Sequence, residues 1–223
     1  MPDPTAPLVG EVATTLGPAR THTERAGGPA RGLLVLGHGA GGGVDAPDLL
    51  AARDAALVAG FDVVRVEQPW RVRGRRVAEA PARLDAAWTE VLAVLDPAPR
   101  PVMGGLLVVG GRSAGARVAC RTAGATRADA VLCLAFPLVP PGRPDRSRVA
   151  ELALPGLPLL VVQGGRDAFG VPEGAAVVAG ADHAFATRRA DPPAGPQVRA
   201  LVLGWLGALP VEGRGKNRPS GAR

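Results

Sequence analysis

The sequence predicts an α/β fold with a mostly parallel sheet and helices on both of its faces, and three observations carry that prediction. Short apolar runs of strand length alternate with longer segments of helical spacing, the pattern of βαβ units. Glycines follow several of the runs, where a strand must turn sharply into its crossover helix. The chain has 223 residues, 47% of them hydrophobic and 21% charged, which suits one globular domain with a core of its own.

Each element has its own signal. Leu33 to Leu36 reads as a strand. Pro47 to Ala59 reads as a helix, with Pro47 in its first turn and Gly60 closing it. Phe61 to Val66 is the next strand. The helix over Glu79 to Leu95 places Leu84, Trp88, Val91, Leu92 and Leu95 at helical spacing. Leu106 to Val109 is a buried strand leading into a helix over Ala114 to Ala123. Two more strands follow at Ala130 to Ala135 and Leu157 to Val162, then a short, weak one at Ala175 to Val178. An amphipathic helix over Pro196 to Leu209 closes the pattern. Phe136 to Ser147, rich in Pro and Arg, is a loop, and no insertion is long enough to form a separate lid domain. We expect one domain over residues 1–210 and a disordered basic tail over residues 211–223.

Composition narrows the function. The net charge is +6 and almost all the positive charge is arginine, since Lys216 is the only lysine. Tyrosine is absent and aromatic residues make up 3%, so base stacking has little to work with and a nucleic-acid partner is not expected. Cys120 and Cys133 lie in predicted core elements and read as buried free thiols. The first residues lack a basic start and an apolar core, and no apolar run reaches membrane-spanning length. The expectation is a cytoplasmic protein with no signal peptide and no membrane partner.

In open α/β sheets ligands sit beyond the carboxyl ends of the strands, so the loops after strands are where chemistry belongs. Ser113 is one of three serines and the only one in a G-x-S-x-G segment, Gly111-Arg112-Ser113-Ala114-Gly115. A strand leads in and a helix leads out, the context in which a sharp turn exposes a nucleophilic hydroxyl. Asp167 follows the strand ending at Val162, and His183 follows the short strand after it. Ser, Asp and His thus occur in the order nucleophile, acid and base that such folds use. Asp182 adjoins His183 too closely to orient its ring, and His22 sits in the polar segment Thr21 to Arg25. The first strand ends in Gly37-His38-Gly39-Ala40-Gly41-Gly42-Gly43, whose bare N–H groups suit an oxyanion. The expected donors are the N–H groups of Ala114 and Ala40, with Gly41 as an alternative; His38 is expected to orient the loop. Gly37, Gly39 and Gly42 also match a dinucleotide-binding G-x-G-x-x-G with Glu67 as its acid, although Val44 to Pro47 separate the last glycine from the helix.

These motifs together make the chain resemble the α/β-hydrolase superfamily, over roughly Gly32 to Leu209. Within it, the chain looks most like the KANL/Tex-like, dienelactone-hydrolase-like group. The pieces that carry this are Gly37 to Gly41, Val66-Glu67-Gln68-Pro69-Trp70 with the arginines after it, Gly110 to Ser113, Phe136-Pro137-Leu138 with Pro140-Pro141-Gly142, and Asp182 to Phe185. Val139 stands where similar proteins usually carry a histidine, and the link from Asp167 to His183 is shorter than in them. The resemblance implies an α/β-hydrolase fold with a minimal lid or none. It also implies a Ser113-Asp167-His183 triad cleaving a small-molecule acyl substrate, an ester, thioester or related bond, with no metal or organic cofactor. Because some relatives are subunits of larger assemblies, it also allows a non-catalytic interaction protein. Arg71, Arg73, Arg75 and Arg76 read as a solvated loop or as an anion-binding patch at the mouth of the site.

Overall fold

The apolar runs become the strands of one eight-stranded sheet in the computed structural model, which describes residues 6–96 and 105–210. The strands are β1 (Leu8–Val12), β2 (Ala19–Glu24), β3 (Gly32–Gly37), β4 (Phe61–Glu67), β5 (Leu106–Arg112), β6 (Ala130–Leu134), β7 (Leu159–Gly164) and β8 (Ala176–Val178). The helices are α1 (Pro47–Val58), α2 (Pro69–Val72), α3 (Pro81–Leu95), α4 (Ala114–Thr122), α5 (Val149–Ala153) and α6 (Ala194–Ala208). The sheet order is β1-β2-β4-β3-β5-β6-β7-β8. From β4 to β8 every neighbouring pair is parallel, while β1 with β2 and β2 with β4 are antiparallel.

Both faces of the central strands are covered, and that is why they read as unbroken apolar runs. Leu34 and Leu36 point to one side, into a cluster with Phe61, Leu132, Val198 and Leu206, roofed by α1 and α6. Val35 points to the other, with Trp88, Val109, Val118 and Val131 beneath α3 and α4. Cys120 and Cys133 lie in this second cluster as free thiols, their sulfurs 3.4 Å apart. No helix among the described residues is long and apolar enough to cross a membrane.

The expected strands and long helices are present with ends shifted by a few residues, and four further elements are not among those expected. The antiparallel pair β1–β2 extends one edge of the sheet, and the polar segment that holds His22 is part of β2. α2 is a single turn started by Pro69, and α5 is a short helix after the loop that ends near Ser147. The expected basic tail, residues 211–223, lies outside the described residues.

The strand order places the site. The chain runs from β3 outward to β4 on one side, then returns to β5 on the other, so the direction of winding reverses at β3. The loops after β3 and β5 therefore leave the sheet side by side, at the switch point where open α/β sheets form a crevice. Gly37, the last residue of β3, pairs with Gly111, the last but one of β5.

Candidate active site

Ser113 stands at the junction of β5 and α4. Its backbone has φ 53° and ψ −108°, outside the ordinary regions for a side-chain-bearing residue. Its N–H donates to Leu134 O at 2.9 Å, which holds the turn against β6. The hydroxyl does not cap α4, although the residue occupies the cap position, so it stays available for other chemistry. The flanking glycines are needed for space. A Cβ on Gly111 would lie 2.4 Å from Gly37 O, and one on Gly115 would lie 2.4 Å from the same oxygen and 2.6 Å from its carbon.

His183 reaches this hydroxyl: its Nε2 is 3.0 Å from Ser113 Oγ. Its Nδ1 is 2.8 Å from Asp167 Oδ2. A carboxylate can only accept here, so Nδ1 carries the proton and Nε2 is left to accept from the serine. Asp167 is buried and held by further donors. Gln163 Nε2 donates to Oδ2 at 2.7 Å and the Phe169 N–H donates to Oδ1 at 2.8 Å. Gln163 is itself fully buried in β7, with Phe136 O and Gly170 O also within reach of its amide nitrogen. The Phe169 ring lies against the imidazole, centroids 4.5 Å apart.

The short link between acid and base works because it contains no helix. β8 lies directly beside β7, and the loops after both leave the same end of the sheet. They are laced together: the Gly165 N–H donates to Val178 O and the Arg166 N–H to Ala181 O. Gly164 permits the approach, since a Cβ there would sit 2.5 Å from Asp182 O. Asp182 turns away from the ring to accept from the N–H groups of Ala184 and Ala186, shaping the loop that carries His183.

The glycine loop after β3 faces Ser113. Ala40 and Ala114 line one narrow crevice together with His38, Trp70, Leu84 and Val118. Ala114 is the first residue of α4, where an N–H has no acceptor within the helix. His38 is buried: its Nδ1 donates to Gly39 O at 2.8 Å, and the Gln68 N–H donates to its Nε2 at 3.1 Å. Burial holds its pKa below the ordinary value, so the neutral ring ties this loop to the end of β4. In the dinucleotide pattern a helix opens at the third glycine; here α1 opens at Pro47, after Gly43 and Val44 to Ala46. Glu67 pairs with Arg20 at 3.2 Å.

Two residues beside the serine were not singled out from the sequence. Arg112 Nε lies 3.1 Å from Asp48 Oδ2, and Arg112 Nη2 donates to His183 O at 3.0 Å. Asp48 opens α1 and is buried, and burial pushes its carboxyl up to about 6 even though Arg112 pulls the other way. In the arginine cluster, Arg73 and Arg75 face Glu79 at 3.0 and 3.3 Å, so two of its four cations already have an anion.

Residues 30–194 match a family described as alpha/beta hydrolase domain. A comparison with curated proteins returns no match. Among solved structures, an alpha-beta serine hydrolase homologue from Coxiella burnetii superposes with a TM-score of 0.69 at 18% identity, covering 88% of this chain and 96% of that one. An α/β serine hydrolase without a lid from Xanthomonas campestris gives 0.67 at 20% identity, covering 93% and 99%. Est1E from Butyrivibrio proteoclasticus gives 0.63 at 15% identity, covering 89% and 98%.

Proposed function

The chain belongs to the alpha/beta hydrolase domain family, and from that premise we propose that it is a serine hydrolase of esters, thioesters or related acyl bonds. The observation that carries the reading is the run of hydrogen bonds from Ser113 Oγ through His183 to Asp167, 3.0 and 2.8 Å long. His183 takes the hydroxyl proton as Ser113 attacks the acyl carbonyl, and Asp167 stabilises the imidazolium and holds its tautomer. The N–H groups of Ala114 and Ala40 receive the oxyanion. The protonated His183 then gives its proton to the leaving group. Water then attacks the acyl carbon and gives a proton to His183, which returns it to Ser113 Oγ as the acyl–oxygen bond breaks and the acid leaves. Every step uses side chains and backbone of this chain, with no metal or organic cofactor.

An interaction-only protein would tolerate Asp167 out of reach of His183, so their 2.8 Å contact favours catalysis. The motif likeness supports assignment to the KANL/Tex-like group, and we read residues 1–210 as one catalytic domain acting in the cytoplasm.

A fluorophosphonate probe tests the reading. It is expected to label the protein at Ser113, and Ser113→Ala is expected to abolish both labelling and the hydrolysis of short p-nitrophenyl esters and acyl thioesters. Equal labelling of Ser113→Ala, or none of the folded wild type, refutes it.

A further inference from the structure

Beside the serine, one guanidinium joins three separate parts of the site. Arg112 precedes Ser113 in the chain. Its Nη2 donates to the backbone carbonyl of His183 at 3.0 Å, its Nε lies 3.1 Å from Asp48 Oδ2, and its Nη1 lies so close to the glycine loop that a Cβ on Gly39 would come within 3.0 Å. The side chain is 12% exposed and that of Asp48 only 1%. A buried cation must earn its place, and here its partners are the first turn of α1, the loop of the base and the loop of the oxyanion donors.

We propose that Arg112 is a positioning residue, a brace that fixes His183 and the glycine loop relative to Ser113, with Asp48 as its anchor on α1. The inference rests on the serine-hydrolase reading, because it assigns to Arg112 the alignment of groups which that reading makes reactive. Arginine suits the task and lysine does not. The planar guanidinium donates to the His183 carbonyl through Nη2 while its Nε keeps the charge 3.1 Å from Asp48, an ion pair without a hydrogen bond, whereas an ammonium on a flexible stem is a single compact charge. The loop of His183 leaves β8 only five residues before the imidazole; Asp182 pins it internally through Ala184 and Ala186, and Arg166 pins its start to the loop after β7 through Gly180 O and Ala181 O. Arg112 ties it to β5, the strand that carries the nucleophile. Gly39 lacks a side chain where Arg112 passes, so the same guanidinium limits how far that loop can shift.

The experiment measures ester hydrolysis and the fluorophosphonate labelling rate for wild type, Arg112→Gln, Arg112→Lys, Arg112→Ala and Asp48→Asn, with circular dichroism to establish folding. A misplacement of about an ångström between reacting groups costs up to about a hundredfold. We expect kcat and the labelling rate of Arg112→Gln to fall together, about tenfold to a hundredfold, with KM within about twofold of wild type. Arg112→Lys recovers part of the loss, and low-millimolar guanidinium ion recovers activity in Arg112→Ala. Asp48→Asn, approached from the other end of the brace, loses kcat in the same direction by a smaller factor. Should the Arg112 variants not fold, Asp48→Asn alone decides. Wild-type kcat in the folded variants overturns the proposal, and so does a rise in KM at unchanged kcat, which would make Arg112 a substrate-binding group. A wild type that is not labelled at Ser113 refutes the hydrolase reading instead, before any variant is compared.

Discussion

Asp167 shows how a single side chain is prepared for its task. Three donors converge on it, His183 Nδ1–H and the Gln163 amide on Oδ2 and the Phe169 N–H on Oδ1, so both oxygens act as acceptors. Asp167→Asn puts an amide into that cluster. One face of it becomes a donor, and the imidazole can then settle with the proton on Nε2, where it no longer accepts from Ser113. The expected result is a fall of about 10³–10⁴-fold in kcat with little change in KM and a folded protein, read by steady-state ester hydrolysis and near-ultraviolet circular dichroism. At this scale the sequence is informative about residues whose order along the chain is diagnostic. Ser113, Asp167 and His183 each follow a strand, and order plus position is enough to bring them together. Gln163, Asp48 and Arg112 carry no such mark. A glutamine in a strand and an aspartate in the first turn of a helix look ordinary, and the Arg112–Asp48 pair spans residues whose proximity depends on the whole sheet.

Elements were legible where burial is two-sided or where a long helix has a clear stripe. β3, β4, β5, β6 and β7 are apolar because α1, α3, α4 and α6 cover both faces. β2 is not legible, since Ala19-Arg20-Thr21-His22-Thr23-Glu24 is a polar segment whose buried residues are Ala19, Thr21 and Glu24, with no apolar alternation to mark a strand. α2 and α5 are too short for a period to show. The start of α1 illustrates what an element end does to a charge. Asp48 lies there with Arg112 and His183 as the charged groups acting on it, Asp45 lining the same groove, and burial dominating. Its carboxyl is raised to about 6, so the folded state holds a proton between about pH 4 and 6 that the unfolded chain, near the ordinary value of 3.8, releases. Stability contributed by this group is therefore present at low pH and lost as pH rises through about 6, by at most about 3 kcal/mol. Asp48→Asn removes the titration. Denaturant unfolding at a series of pH values should show the variant gaining on wild type between pH 4 and 6 and the difference levelling off above. A difference that does not vary with pH would mean that Asp48 titrates normally.

On the scale of the whole molecule, the parallel core and the antiparallel edge must be joined, and the join contains a buried charge. Arg65 of β4 is among the most buried large side chains, at 2% exposure. Its Nη2 donates to Glu24 Oε1 of β2 at 2.8 Å, and its Nη1 donates to Val44 O at 2.8 Å and to Asp45 Oδ1 at 2.6 Å, at the end of the glycine loop. Arg53 of α1 also reaches Glu24, at 3.1 Å. One cation thus links the added edge strand, the central sheet and the loop that lines the site. Such a cluster adds little net stability over a well-packed apolar replacement, but losing one member strands the other charges in a place with little water. Arg65→Met is accordingly expected to destabilise the protein by about 3 kcal/mol in urea unfolding, toward the lower end for a broken buried pair because Arg53 still faces Glu24. The double change Arg65→Met with Glu24→Gln removes the stranded carboxylate and should recover part of that loss. If the double variant is instead as unstable as the sum of the two single ones, the cluster is not an interacting network, and the edge is held by packing and the β2–β4 ladder alone.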